Sequence, residues 1–397
     1  MPASTPAARR RVAVTGAGVV ASCGIGKDAF WQGLMREPDS GLRRVDDWDP
    51  SPHYANAKEV RRADRFEQFA VGAAAEALAQ SGRPPGDPVR QGVIIGTGIG
   101  GLYTIEEQTI VRYEKGVRRV SPFLIPMVMG NAPAAAVSMR HGLQGPCETV
   151  VTACAAGTHS VANGARLIMS GRCDTVLAGS TEAAMTETGV AGFTNMTAMS
   201  STLTSRPFDQ RRDGFVMSEG SGVLVLEEME SAKARGAVIL AEVLGGASTA
   251  DAHHITAPAP DGSGAVACME LALEEAGLAP SDIAHVNAHG TSTPLNDAAE
   301  AEAIIKVFGS PGPPVTSIKG VIGHALGAAG SIEAVAAVLT ILNGVIPPTA
   351  GYGQPDPDMA AIDVVHGAAR SWTPGPIISN SFGFGGHNGC VIIAPAS

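Results

Sequence analysis

The chain has 397 residues, 45% of them apolar and 17% charged, and its 28 Lys and Arg against 38 Asp and Glu leave a net charge of −10. At about 150 residues per domain that length allows two to three domains or one large α/β unit, and so apolar and weakly charged a chain is not intrinsically disordered. The acidic balance argues against general nucleic-acid binding, which uses a basic face.

Met1 to Ala8, rich in Ala, Pro, Ser and Thr, reads as a disordered leader. Arg9-Arg10-Arg11 then precedes an apolar run, and Val20-Ala21-Ser22-Cys23 has the look of a lipoprotein cleavage box. Gly16 and Gly18 break that run, so a first β-strand is the better reading. The same stretch fits a GxGxxA dinucleotide pattern, but the nearest acidic ribose partner, Asp39, sits in a Pro/Ser/Gly loop. Strands are predicted over residues 12–19, 92–96, 149–153, 175–178, 222–226, 240–244, 285–288, 315–318 and 389–393. Helices are predicted over 64–80, 155–170, 265–275, 298–307 and 330–342. Strands without strict alternation are buried on both faces, and the βαβα order predicts an α/β fold.

The chain divides near residue 250, into 9–250 and 251–397, with no long linker, which suggests one compact body. No crisp repeat supports a duplication, so spacing alone makes that idea weak. No stretch reaches the roughly 18 uninterrupted apolar residues of a membrane helix, and the best candidate, Ala334 to Val345, is broken by Asn343. Six cysteines without a CxxC pair, in a chain this long, form no disulfide framework and favour a reducing cytoplasm.

Four segments carry groups able to do chemistry. Cys154, in TVVTACAAGTHS, sits between a predicted buried strand and a long helix. There helix N–H groups and the dipole lower a thiol pKa and offer half of an oxyanion hole. Cys23, Cys147, Cys173, Cys268 and Cys390 read as small hydrophobes. His289, in VNAHGTSTPLND, ends a strand and enters a Gly-containing loop, where open α/β sheets place ligands. Its spacing from His285 suits zinc on a helix, but on a strand the two lie roughly 13 Å apart, so metal is disfavoured. Lys319 and His324 share a Gly-punctuated loop, TSIKGVIGHALG, and Glu333 follows in a helix. In ISNSFGFGGHNG two phenylalanines alternate with glycines, so the backbone can approach a ligand while the rings cover an apolar pocket.

These segments, together with RVAVTGAGVVASCG, GTGIGGL and SRPFDQRRDGFVMSEGSGVLVLEE, resemble in order the β-ketoacyl-acyl carrier protein synthases of the thiolase superfamily, FabF-type in particular. The resemblance covers nearly the whole chain. It implies a thiolase-like five-layered αβαβα fold of two similar halves, usually a homodimer, with no metal and no organic cofactor. It implies that Cys154 is the acylated nucleophile, that His289 and His324 serve malonyl decarboxylation and condensation, and that Lys319 and Glu333 hold the polar network. It further implies an oxyanion hole from the N–H groups of Cys154 and Phe384. Phe382 and Phe384 would gate the acyl pocket, Ile99 and Phe193 line it, and Thr291 and Thr293 touch the phosphopantetheine arm. Lys58, Arg61, Arg62, Arg65, Arg118 and Arg119 match positions at which relatives dock an acidic acyl carrier protein.

Three departures stand out: a short STLTSRPFD stretch with Thr197 at a commonly basic position, Gly320 and Ile322 in place of hydroxyl residues, and His387 in place of Thr. The expected reaction is decarboxylative condensation in type II fatty acid elongation, with a ketosynthase of a type II polyketide or polyene pathway, paired with a chain-length factor, as the alternative. A non-catalytic chain-length partner is disfavoured by the presence of Cys154, His289 and His324, and an NAD-dependent oxidoreductase is more distant still.

Overall fold

The computed structural model describes residues 9–38 and 40–397. The expected leader and Asp39 lie outside the described residues. Ten strands form the frame: β1 (Val12–Ala21), β2 (Gln91–Gly96), β3 (Cys147–Glu148), β4 (Thr175–Glu182), β5 (Gly220–Glu228), β6 (Ala241–Ala250), β7 (His285–Asn287), β8 (Val315–Thr316), β9 (Ile377–Gly383) and β10 (His387–Ala394). The helices that matter for the site are α1 (Arg65–Ser81), α2 (Leu102–Lys115), α3 (Ala132–His141), α4 (Ala156–Met169), α5 (Glu187–Asn195), α6 (Ser263–Ala276), α7 (Pro294–Phe308) and α8 (Ala329–Asn343).

The strands run β3-β2-β4-β5-β1-β6-β10-β9-β7-β8, with the short strand Gly24–Ile25 folding back on β1. From the centre outward each arm repeats one pattern. β1 is antiparallel to β5, and β5 to β4, after which β2 and β3 are parallel. In the other arm β6 is antiparallel to β10, and β10 to β9, after which β7 and β8 are parallel. The arms meet where β1 pairs antiparallel with β6 through Val12–Val243, Ala13–Glu242 and Val14–Ala241. This supplies the duplication that the sequence only hinted at. β6 opens the second arm, whereas a division at residue 250 leaves it in the first.

Five layers follow from which face each side chain takes. Val223 and Val225 of β5 turn outward to pack with Phe66, Phe69 and Ala77 of α1, while Leu224 and Leu226 turn inward to α4 and α8. In the second arm Ile377, Val391 and Ile393 face the same central helices, and Ile378 and Ile392 face Met269 and Leu273 of α6. Each fully buried side chain of this kind contributes roughly 1.5–3 kcal/mol. α8 is apolar all round because it is the middle layer: the 18 residues Leu326–Asn343 have mean hydropathy 1.6, and 89% of them are buried inside the protein.

Two elements differ from expectation. The predicted buried strand 149–153 is a half-buried, mostly irregular run at the sheet's outer edge, joined to the end of β2 by Thr97 N donating to Val150 O at 3.1 Å, and only its Val151 is exposed, at 58%. No strand was expected in the stretch leading to Phe382, yet it forms β9, a seven-residue strand. Gly16 to Ala21 lies inside β1, so the dinucleotide turn does not form.

Candidate active site

Cys154 is reached through a tight turn. Ala153 holds φ 48° in the 3-10 turn Ala153–Ala155, and α4 starts directly after it. A non-glycine residue in that region stores strain that the surrounding packing must sustain. The turn leaves Sγ 7% exposed as a residue, 3.1 Å from His324 Nε2. His324 comes from the other half, behind the short helix Lys319–Ile322. It is fixed by its own backbone: His324 N donates to Val216 O at 2.7 Å, and Ser218 N donates to His324 O at 3.0 Å.

His289 follows β7 and sits with its ring centroid 5.4 Å from that of His324, nearly perpendicular at 84°. Its loop is held by a carboxylate that the sequence reading passed over. Glu300 of α7 accepts from His289 N at 2.8 Å and from Gly290 N at 2.7 Å. One turn earlier Asp297 accepts from Phe208 N and Ser292 N. Two acids three apart on the helix that follows a Gly-containing turn were the available signal. Lys319, 0% exposed, pairs with the buried Glu333 and donates to His289 Nδ1 at 3.3 Å. Sequence-distant groups thus converge as the resemblance implied.

Burial dominates the titrations. It pushes the Cys154 thiol up to about 11, against the pull of the Lys319 charge and of the backbone N–H groups of Phe384 and Cys154, with Glu182 opposing them. The lowered thiol pKa expected at a helix N-terminus is therefore corrected: desolvation outweighs the helix. Burial, the Lys319 charge and the neighbouring imidazole hold His289 well below its usual range, and the Phe382 carbonyl only partly opposes them. Burial and Lys319 do the same to His324. Both rings are neutral, and a neutral imidazole has one N–H to donate and one lone pair to accept.

The backbone N–H groups of Phe384 and Cys154 both act on the sulfur, so they are at hand for an oxyanion formed next to it. Around them opens a cavity of about 580 Å³ lined by Ile99, Phe193, Thr291, Thr293, Phe382 and Phe384, each of them anticipated from sequence. Thr291 and Thr293 share a hydroxyl hydrogen bond of 2.9 Å. Phe215 was missed. Its ring stands edge-on to His324 at 5.3 Å and to Phe193 at 5.5 Å, so it joins the reacting pair to the apolar wall. Thr197 also lines this cavity, whereas His387 borders a second recess with Thr152, His159 and Asn163.

The basic residues lie apart from the cavity. Lys58, Arg61, Arg62, Arg118 and Arg119 are exposed, and Arg62 stacks 4.0 Å over Phe123, which brings their two segments together. Arg65 differs from the rest of the expected docking set, since its side chain is only 29% exposed. It is held bidentate by Glu219 at 3.0 and 2.7 Å and donates to Val45 O, so its charge is spent inside the protein.

Comparison with known proteins agrees with this geometry. The N-terminal domain profile of the β-ketoacyl synthases matches residues 41–232 and the C-terminal domain profile matches 240–353. The chain is 42% identical over 406 residues to the 3-oxoacyl-[acyl-carrier-protein] synthase 2 of Synechocystis, spanning 96% of this chain and 97% of that protein. To the enzyme of the same name from Staphylococcus aureus it is 40% identical over 405 residues, spanning 96% and 98%. Among solved structures, the ishigamide ketosynthase/chain length factor superposes with a TM-score of 0.92 at 33% identity, over 98% of this chain and 100% of that one. A type II polyketide ketosynthase in complex with its acyl-carrier protein superposes at 0.88 with 31% identity, over 98% and 100%. With both domain profiles matched in order and Cys154, His289 and His324 brought together from both halves, the chain belongs to the β-ketoacyl synthase family.

Proposed function

We propose that this protein is a condensing acyltransferase that joins an enzyme-bound acyl group to malonyl-acyl carrier protein, giving β-ketoacyl-acyl carrier protein in type II fatty acid elongation. The observation that carries the reading is the 3.1 Å approach of Cys154 Sγ to His324 Nε2 at the floor of an apolar cavity. The Cys154 thiol gives its proton toward neutral His324 as the sulfur attacks the carrier thioester. The carbonyl oxygen takes up the charge between the N–H groups of Cys154 and Phe384, and the carrier thiol leaves with the proton that His324 passes on, so the imidazole is neutral again. Malonyl-carrier protein then enters. Its carboxylate carbon–carbon bond breaks, CO₂ departs, and the electron pair moves onto the thioester as an enolate that His289 and His324 stabilise by N–H donation. The enolate carbon attacks the acyl carbonyl, the C–S bond to Cys154 breaks with its electron pair on sulfur, the thiolate takes up a proton from solvent, and the β-ketoacyl product leaves on the carrier.

An enzyme with net charge −10 needs a local basic patch to receive an acidic carrier, and the exposed Lys58, Arg61, Arg62, Arg118 and Arg119 supply one. Six unpaired cysteines support a reducing, cytoplasmic setting. A second reading, ketosynthase of a polyketide or polyene pathway with a chain-length-factor partner, is favoured by the 0.92 superposition on the ishigamide pair. Higher sequence identity to the fatty acid synthases favours the first. Incubating the protein with acyl-carrier proteins of graded length and malonyl-carrier protein tests it: mass spectrometry should find an acyl adduct on Cys154 that Cys154→Ala abolishes. A persistent adduct in the variant moves the nucleophile elsewhere.

A further inference from the structure

Glu182, the last residue of β4, is 0% exposed beside the reacting groups and takes no part in the chemistry just described. Its Oε1 accepts from Thr97 Oγ1 at 3.1 Å, and Oε2 accepts from Gly98 N at 2.7 Å and Gly327 N at 3.2 Å. Thr97 Oγ1 in turn accepts from Gly100 N at 3.2 Å. Gly98 lies in the loop leaving β2 in the first half. Gly327 lies in the 3-10 turn Leu326–Ala328, three residues past His324 in the second.

The two backbones touch. A Cβ on Gly327 would stand 2.1 Å from Gly98 N, and one on Gly98 would stand 2.7 Å from Glu182 Oε2. Neither turn closes with a side chain at these positions. Their neighbours Ile99 and Leu326 both line the acyl cavity, and Leu326 is held at φ 48°. A carboxylate is a poor choice for filling a dry space, since burial disfavours its charge unless donors surround it. Here three donors from two halves of the chain do so, and an apolar residue of similar size would satisfy none of them.

We propose that Glu182 is a positioning residue: by clasping the Gly98 loop of one half to the Gly327 turn of the other, it holds His324 within reach of the Cys154 sulfur and fixes the Ile99–Leu326 wall of the acyl cavity. This rests on the condensing role of Cys154 and His324. The test compares Glu182→Gln with Glu182→Leu in the full chain. The Gln carbonyl can receive both glycine N–H groups while its amide donates to Thr97 Oγ1, so the clasp survives. The Leu variant fills the space and removes every acceptor.

Glu182→Gln should condense within about threefold of the parent with the same acyl-length preference, whereas Glu182→Leu should lose about thirtyfold or more in kcat, the scale of a small misplacement of reacting groups. In the Leu variant the KM for acyl-carrier protein should stay within about threefold, because the docking face is untouched, and the preference among acyl lengths should flatten. A Leu variant as active as the Gln variant overturns the clasp, as does a Gln variant as impaired as the Leu variant. Should the Leu chain fail to fold, Gly327→Ala keeps the carboxylate but forces the turns apart. It should show the same kcat loss, and parent-like turnover would overturn the proposal. An acyl adduct on Cys154 of the parent is the control: its absence sinks the condensing reading, while its presence beside an unimpaired Leu variant sinks the clasp alone.

Discussion

Lys319 shows how one residue governs a site it does not enter. Fully buried, it contacts Glu333 and His289 and lowers the titration of Cys154, His289 and His324 together. Its charge adds to burial, the larger cause, in keeping both imidazoles neutral, and it offsets part of the burial that holds the thiol up near 11. In Lys319→Ala the Glu333 carboxyl, already pushed up to about 7 by burial, loses its partner and takes a proton at neutral pH. Among the effects lowering the Cys154 pKa, that of Lys319 is the largest, so iodoacetamide alkylation of Cys154 at pH 8 should slow by about tenfold in the variant. An unchanged alkylation rate would remove Lys319 from the electrostatics of the nucleophile. Lys319→Arg should not rescue, since a planar guanidinium has neither the shape nor the room of the buried ammonium.

Elements differ in how plainly the sequence announces them. β1, β2, β5 and β10 are continuous β-branched runs because helices cover both of their faces, and apolar periodicity finds such strands readily. β9 escaped because its outer end, Ser379 to Gly383, reads as turn chemistry, and only pairing with β7 and β10 makes it a strand. The run before Cys154 misled for the opposite reason, since its apolar residues sit at the sheet's outer edge, where Val150 is half-buried against the core and Val151 is left 58% exposed. The reacting residues were legible because each sits in a loop with its own local signature. Among their supports, Glu182 and Phe215 were not, because their meaning comes from partners far along the chain, whereas Glu300 lies ten and eleven residues from the N–H groups it holds and was passed over.

β7 carries a consequence of the same kind. His285 is 2% exposed, has neither ring nitrogen partnered among the described residues, and stands edge-on to Trp372 at 6.0 Å. Burial pushes it down to about 3. Below pH 6.5 the unfolded chain therefore binds a proton at His285 that the folded chain refuses, and stability falls as pH drops from 6.5 toward 3. Replacing His285 with Leu removes that penalty. Denaturant unfolding at pH 7.5 and pH 5 should show the variant losing about 2 kcal/mol less than the parent across that interval. Equal acid sensitivity in both proteins would mean that water or a backbone group satisfies the imidazole.

At the scale of the molecule, two symmetric arms place Cys154 on one half and both histidines on the other, so the site exists only when the halves are docked. The surface obeys a different logic, because a protein with ten excess negative charges repels an acidic carrier except where cations cluster. Two groups of arginines that look alike in sequence should separate on this basis. Arg118 and Arg119 end in solvent, so changing both to Glu should weaken carrier-protein binding by about tenfold at low salt, with the difference shrinking as salt screens it. Isothermal titration at two ionic strengths reads this directly, and unchanged affinity would discard the patch. Arg65 is bound to Glu219, whose side chain is 0% exposed, so Arg65→Ala strands a buried carboxylate. That variant should lose about 3 kcal/mol of folding stability by chemical denaturation. Once folded, it should keep the carrier affinity and salt slope of the parent, because the guanidinium it removes faces Glu219 rather than the carrier.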